Sequence, residues 1–142
     1  QHPKVGLINI GEEPEKGNSL AQAAFQLMQE SKEFHFIGNI EGRDLFNDKA
    51  DVLVCDGFTG NVILKLAESY YSLIKARGIQ DPFLDRFNYE TYGGTPVLGI
   101  NATVIVGPGI SRARAISNMI IRAFEMESAA LNEKIKAVFQ HE

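Results

Sequence analysis

Val52-Leu53-Val54-Cys55-Asp56-Gly57-Phe58-Thr59-Gly60-Asn61-Val62-Ile63-Leu64-Lys65-Leu66 is the stretch on which the fold turns. Its first four residues are a short apolar run of the kind a fully buried strand shows. A turn with Asp56, Gly57, Thr59 and Gly60 follows, and a helical pattern opens at about Asn61. Such a junction gathers free backbone N–H groups and the positive end of a helix dipole, and both favour an anion. Gly57 and Gly60 give the backbone conformations closed to other residues and let a ligand approach closely. Lys65 sits one turn in, on the face of Asn61, where its charge opposes the dipole unless the ammonium reaches toward a bound anion. The spacing G-x-x-G-N-x-x-x-K is neither a Walker loop nor the dinucleotide fingerprint. The residues alone leave two readings open: an anion site, or an ordinary strand-to-helix connection with Lys65 in solvent.

Upstream, residues 5–10 read as a buried strand that runs into the loop Gly11-Glu12-Glu13-Pro14. Asn18 or Ser19 can cap a helix with Leu20, Ala23, Ala24, Leu27 and Met28 as its apolar face. A second strand, residues 34–37, ends in the glycine-bearing loop 38–44, and a helical turn about Leu45 and Phe46 leads back to residue 52. Strand, helix, strand, loop, strand, helix is the pattern of an α/β unit with a parallel sheet. Three loops, after Ile10, Ile37 and Cys55, then fall at the carboxyl edge, where open α/β sheets bind ligands. Asn9, Glu12, Asn39, Arg43, Asp44, Asp56, Thr59, Asn61 and Lys65 are the candidates there. Glu12 and Glu13 suit a general base less well than a solvated pair of carboxylates, and Arg43 with Asp44 reads more readily as a local ion pair than as a phosphate clamp.

Downstream, the helix from Asn61 runs through Leu64, Leu66, Ala67, Tyr71 and Ile74 and stops at Gly78, with Lys75 and Arg77 in its last turn. Residues 79–90 are irregular or briefly helical, and Tyr92-Gly93-Gly94-Thr95-Pro96 is turn chemistry. Residues 97–100 and 103–106 read as an antiparallel hairpin turning at Asn101-Ala102. One long helix is expected over residues 111–138, with Ile116, Ile120, Phe124, Leu131, Ile135 and Val138 on a stripe that should bury against a second copy.

The 142 residues suffice for a single α/β domain, and 44% apolar with 23% charged residues is an ordinary globular composition. A net charge of −4 without a basic stripe argues against nucleic acid. The lone Cys55 excludes an internal disulfide framework and suits a reducing cytoplasm; in its apolar run it reads as core. No apolar run approaches the roughly 20 residues of a membrane span. His2, His35 and His141 make no catalytic triad, and no cluster with metal-ligand spacing is present. The start at Gln1, almost directly in a strand, gives the expectation of a fragment or processed product.

Four motifs in order, Asn9-Ile10-Gly11-Glu12-Glu13, Gly38-Asn39-Ile40-Glu41-Gly42-Arg43-Asp44, Cys55-Asp56-Gly57-Phe58-Thr59-Gly60-Asn61 and Tyr92-Gly93-Gly94-Thr95-Pro96-Val97-Leu98-Gly99, resemble the PlsX family, the phosphate acyltransferases of bacterial phospholipid synthesis. The resemblance covers nearly the whole chain but only the carboxyl-terminal part of the family. It implies a fold like isocitrate dehydrogenase and phosphotransacetylase, with residues 1–142 as one portion of a larger acyltransferase. It implies transfer of a fatty acyl group from acyl carrier protein, or coenzyme A, to inorganic phosphate, with no cofactor and no metal. It further implies a homodimer in the cytoplasm, loosely attached to the inner face of the membrane. In that reading Asn61 and Lys65 are catalytic, and Gly57, Phe58, Thr59, Gly60, Asn61 and Arg43 bind phosphate. Asn9, Glu12, Asn39, Asp44, Asp56, Tyr92, Gly93 and Gly94 then line the cleft. The chain departs from the family at Gly107-Pro108-Gly109-Ile110-Ser111-Arg112, where members carry a Gly-His-Gly-Ser-Ser-Asn-like loop, and in a short segment before Tyr92 associated with dimer contact and membrane docking. A phosphotransacetylase-like enzyme using short acyl-CoA and a non-catalytic anion-binding or dimerisation domain are the alternative readings.

Overall fold

The computed structural model describes residues 2–139; Gln1 and residues 140–142, His141 among them, lie outside the described residues. The chain divides into two compact units, with the boundary between Leu64 and Lys65.

The first unit is an α/β layer. β1 (Lys4–Ile8) lies between β2 (His35–Ile40) and β3 (Val52–Val54), and both pairings are parallel, as the helical and loop crossovers require. α1 (Ser19–Glu30) covers one part of the sheet. Asn18 caps it by accepting from the Ala21 N–H at 2.9 Å. The buried face of α1 is rotated from the expected one. Phe25 is the fully buried residue and meets the Phe36 ring edge-on at 5.2 Å, whereas Leu20 and Leu27 face solvent. An aromatic pair outweighs leucine spacing because the ring buries more area and adds a directional contact.

Three strand readings also change, the first being that β1 ends at Ile8 rather than at residue 10. The glycine at 38 does not end β2; with φ at +93° it sits inside the strand where the register to β1 shifts between Val5 and Leu7, and pairing resumes through Ile40. Ile40 is fully buried over Gly6, where any Cβ would strike its side chain. β3 is not a buried strand as its apolar run suggests. It is three residues long and an edge of the sheet, with Val52 45% and Val54 38% exposed. The apolar content of 52–55 is therefore not matched by a covering layer within this unit.

α2 (Gly57–Ala76) begins four residues earlier than expected and crosses the boundary between the units. Phe58, Val62, Leu66, Tyr70 and Leu73 follow one another at three- and four-residue spacing and are all exposed.

In the second unit, the last turns of α2 hold the following segment through Asp85, which accepts from Tyr71 Oη at 3.1 Å and pairs with Lys75 at 2.8 Å. A 3₁₀ turn (Leu84–Phe87) and the short helix α3 (Tyr89–Tyr92) lead to an antiparallel pair, β4 (Thr95–Val97) and β5 (Val104–Val106). The hairpin is as expected in sense but not in turn: the connection is the six residues 98–103, not Asn101-Ala102 alone. A two-residue turn would need positive φ at Ala102, which alanine resists. The expected long helix is two, α4 (Ala113–Ser128) and α5 (Leu131–Phe139). They break at Ala129 and Ala130, where Ala130 takes φ of +49°. α4 buries Ala115 and Met126, while Ile116, Ile120 and Phe124, the stripe expected to be covered, are exposed. Among the described residues no helix is long and apolar enough to cross a membrane.

Candidate functional site

Parallel pairing of β1, β2 and β3 brings the chain after Ile8, Ile40 and Val54 to one edge of the sheet in the first unit. The most local of these structures is the β3–α2 junction. Asp56 caps the helix: its Oδ1 accepts from the N–H groups of Phe58 at 2.9 Å and Thr59 at 3.0 Å, and its Oδ2 accepts from the Thr59 hydroxyl at 2.6 Å. Its carbonyl accepts from the Gly60 N–H at 3.0 Å. The Thr59 hydroxyl first, then the Thr59 and Phe58 amides, hold the Asp56 carboxyl below its ordinary range. Two of the amides that the sequence assigns to an external anion are thus held by an internal one.

The glycines of this turn are not there for unusual dihedrals. Gly57 and Gly60 are helical, and neither has positive φ. A Cβ on Gly60 would lie 3.1 Å from the Cys55 sulfur, so its hydrogen makes room for the thiol. Burial first, then the neighbouring Asp56 charge, pushes that thiol above its ordinary value, consistent with an unreactive packing role. Asn61 is exposed on α2. Lys65, four residues on along the same helix, places its ammonium on both oxygens of Glu68, at 3.1 and 2.9 Å.

The loop of residues 10–17 is built differently. Asn9 donates to the Lys16 carbonyl at 3.0 Å and to Asn39 Oδ1 at 3.1 Å, while accepting from the Ile10 N–H at 2.8 Å. Asn39, only 3% exposed, donates to the Glu13 carbonyl at 2.8 Å. Neither side chain is presented to a ligand. Glu12 is presented: its Oε1 accepts from the Lys49 ammonium at 2.7 Å, and the same ammonium reaches Asp44 at 3.2 Å. Asn47 first, then Lys49, lowers the Asp44 carboxyl, against the opposing pull of burial. Glu12 and Asp44 together raise Lys49.

Arg43 pairs with Glu41, not with Asp44. The carboxylates of Glu12, Glu41 and Asp44 converge within 4.8 Å of one another, with Lys49 and Arg43 set among them as counter-charges. Lys49 and Glu41 escaped the sequence reading. Lys49 lies in a polar run just before β3, 37 residues from its Glu12 partner, and no local spacing couples the two.

In the second unit, Tyr92, Gly93 and Gly94 form a packing turn. Gly93 has φ of +76°, and a Cβ there would meet the Ala115 carbonyl and the Met119 N at 2.6 Å. Asn118 of α4 donates to the Glu90 carbonyl at 2.7 Å and holds the turn down. Tyr92 stays exposed.

Comparison with known proteins decides the lineage. The fatty acid synthesis protein family matches residues 1–80, which include all three loops of the sheet edge. The chain belongs to this family. It is 40% identical to a phosphate acyltransferase of Dictyoglomus turgidum over 95% of the chain and 46% of that relative. It is also 40% identical to one of Halothermothrix orenii over the whole chain and 47% of the relative. One of Thermodesulfovibrio yellowstonii is 42% identical over 95% of the chain and 44% of the relative. The chain therefore spans a little under half the length of these relatives. The PlsX resemblance read from the four motifs is the same assignment.

Proposed function

We propose that this chain forms the carboxyl-terminal portion of a phosphate acyltransferase that moves a fatty acyl group from acyl carrier protein to inorganic phosphate. The observation that carries the reading is the gathering of the Asn9, Glu41–Asp44 and Asp56–Asn61 segments at one carboxyl edge in a chain 40% identical to relatives bearing that name. A phosphate oxygen attacks the thioester carbonyl carbon, the C–S bond breaks, and the phosphate proton ends on the carrier thiol, leaving an acyl phosphate. Phosphate is already anionic, so the site needs positioning and donors for the developing oxyanion more than a strong base. Asn61 and Lys65 serve as donors, and the amides of Gly57, Phe58, Thr59 and Gly60, with Arg43, take phosphate, those of Phe58 and Thr59 in competition with the Asp56 carboxylate and that of Gly60 with the Asp56 carbonyl. Acyl carrier protein and phosphate are the partners, and the exposed stripe of Ile116, Ile120 and Phe124 supports self-association as a homodimer. Cytoplasmic placement and loose attachment to the membrane face belong to the same proposal.

An open edge does not exclude water, and an acyl phosphate left in it is hydrolysed. The test assays the purified chain with acyl carrier protein thioester, or acyl-CoA, and phosphate, alone and with the polypeptide supplying the rest of the relatives' length. Acyl phosphate is expected only from the combination, with the carrier protein as the better donor. No phosphate-dependent transfer from the combination overturns the reading, and robust activity from the chain alone overturns the two-part site.

A further inference from the structure

We infer that Asn39 is a positioning residue: through Asn9 it presets the loop of residues 10–17 so that Glu12 is delivered to Lys49, and it does not itself touch a ligand. This rests on the reading of the carboxyl edge as the ligand edge, and it assigns the wall of that edge a fixed rather than a moulded shape.

Four of the eight carbonyls of residues 10–17 are taken by side-chain amides. Asn39 takes Glu13, Asn9 takes Lys16, and Gln22 of α1 takes Glu15 at 2.6 Å and Gly17 at 3.2 Å. Three side-chain amides, one from each of three surrounding segments, hold four loop carbonyls. The Asn9 N–H donates in turn to the Ile40 carbonyl at 2.9 Å, so the clamp is tied to both strand ends. Gly17, at φ of +89°, passes so close to Asn9 Oδ1 that no Cβ fits there. Of the loop's exposed side chains, Glu12 is the one that reaches Lys49, whose ammonium also meets Asp44 from the opposite loop. At 3% exposure Asn39 uses its amide on one loop carbonyl and on a second asparagine rather than facing a ligand, and its removal leaves those groups unpaired. A preset loop spares the ordering entropy that binding would otherwise cost.

The test uses two substitutions. Asn39→Asp keeps the shape and the acceptor for Asn9 but turns an oxygen toward the Glu13 carbonyl. Gly17→Ala acts from the loop side, by crowding Asn9, and carries the test if the buried aspartate prevents folding. In the chain, both should speed amide exchange over residues 11–17 by about tenfold or more. Both should return the Lys49 ammonium, followed by NMR at its Cε, toward its ordinary titration, while exchange in α4 stays unchanged. In the complete enzyme both should lower kcat/KM by about tenfold. Unchanged loop exchange and Lys49 titration in the folded variants overturn the inference. So does full turnover despite altered NMR. NMR that moves as expected, in a complete protein whose wild type transfers no acyl group to phosphate, instead sinks the proposed function and leaves the clamp standing.

Discussion

The loop after β1 and the junction after β3 meet at one sheet edge, yet they are held by opposite means. The loop of residues 10–17 is held by its neighbours Asn9 and Gln22 and also by side chains from far along the sequence, Asn39 reaching Glu13 across 26 residues and Lys49 reaching Glu12 across 37. The junction fixes itself, with Asp56 closing on Phe58 and Thr59 two and three residues away. The first depends on the sheet being assembled; the second needs only a helix to start. A sheet edge built from one of each has a wall tied to the assembled sheet and a helix terminus that caps itself.

The largest expected effect comes from breaking the assembly on which the wall depends. Gly6→Ala drives a methyl into Ile40, which is fully buried, and should cost about 1–3 kcal/mol by overpacking. Chemical denaturation should show the loss, and exchange over residues 10–17 should rise with it, while the Asp56 cap, read from the Phe58 and Thr59 amides, persists longer. Equal loss at both places removes the distinction between them.

Asp56→Ala should lower the melting temperature by only a few degrees, as cap deletions do. It also frees two amides and removes a competing carboxylate, so phosphate should bind about tenfold more tightly. Calorimetric titration that shows weaker or unchanged binding would end the competition argument. The pH dependence has a fixed sign. The folded Asp56 carboxyl is lowered, so its stabilising contribution is present above the ordinary carboxylate range near 3.9 and is lost as pH falls through the lowered value. Wild type and Asp56→Ala should therefore differ at pH 7 and converge once the pH has fallen through the lowered value. The asparagine clamp contains no titrating member and should not follow that curve.

Lys65→Ala is the smallest perturbation. Its pair with Glu68 is exposed and three residues away, worth under about 0.5 kcal/mol. If the ammonium leaves Glu68 for phosphate in the complete enzyme, the phosphate KM should rise or kcat fall by about tenfold or more. Unchanged phosphate kinetics would return Lys65 to the solvated face.

What the sequence made legible follows the same division. The parallel sheet, the Asn18 cap, the antiparallel sense of the hairpin and the clustering of three loops rest on periodicity and local turn chemistry, and the structure has them, with the loops starting after Ile8, Ile40 and Val54 rather than after Ile10, Ile37 and Cys55. The rotated face of α1 was not legible, because Phe25 is placed by Phe36 across the layer. The strand through Gly38 was not either, because glycine signals a bulge and a loop alike. Ala129-Ala130 carries no breaker residue, so the division of the last helix left no mark in the pattern. At the site, Asp56 was a candidate by motif, but the roles of Asn9 and Asn39 as clamps and of Lys49 as the shared cation depend on register across strands.

The exposed stripe of α2, from Phe58 to Leu73, bears on how phosphate must be studied in this protein. Phosphate and sulfate at high concentration are excluded from protein surfaces and strengthen apolar burial. An anion that binds at Gly57–Asn61 and an anion that salts out the stripe beside it are then the same solute acting in two concentration regimes. Saturable binding at low phosphate, with chloride of equal ionic strength as the reference, is what the proposed helix-terminus site should show. A steep, unsaturating rise in light scattering at high phosphate belongs to the stripe.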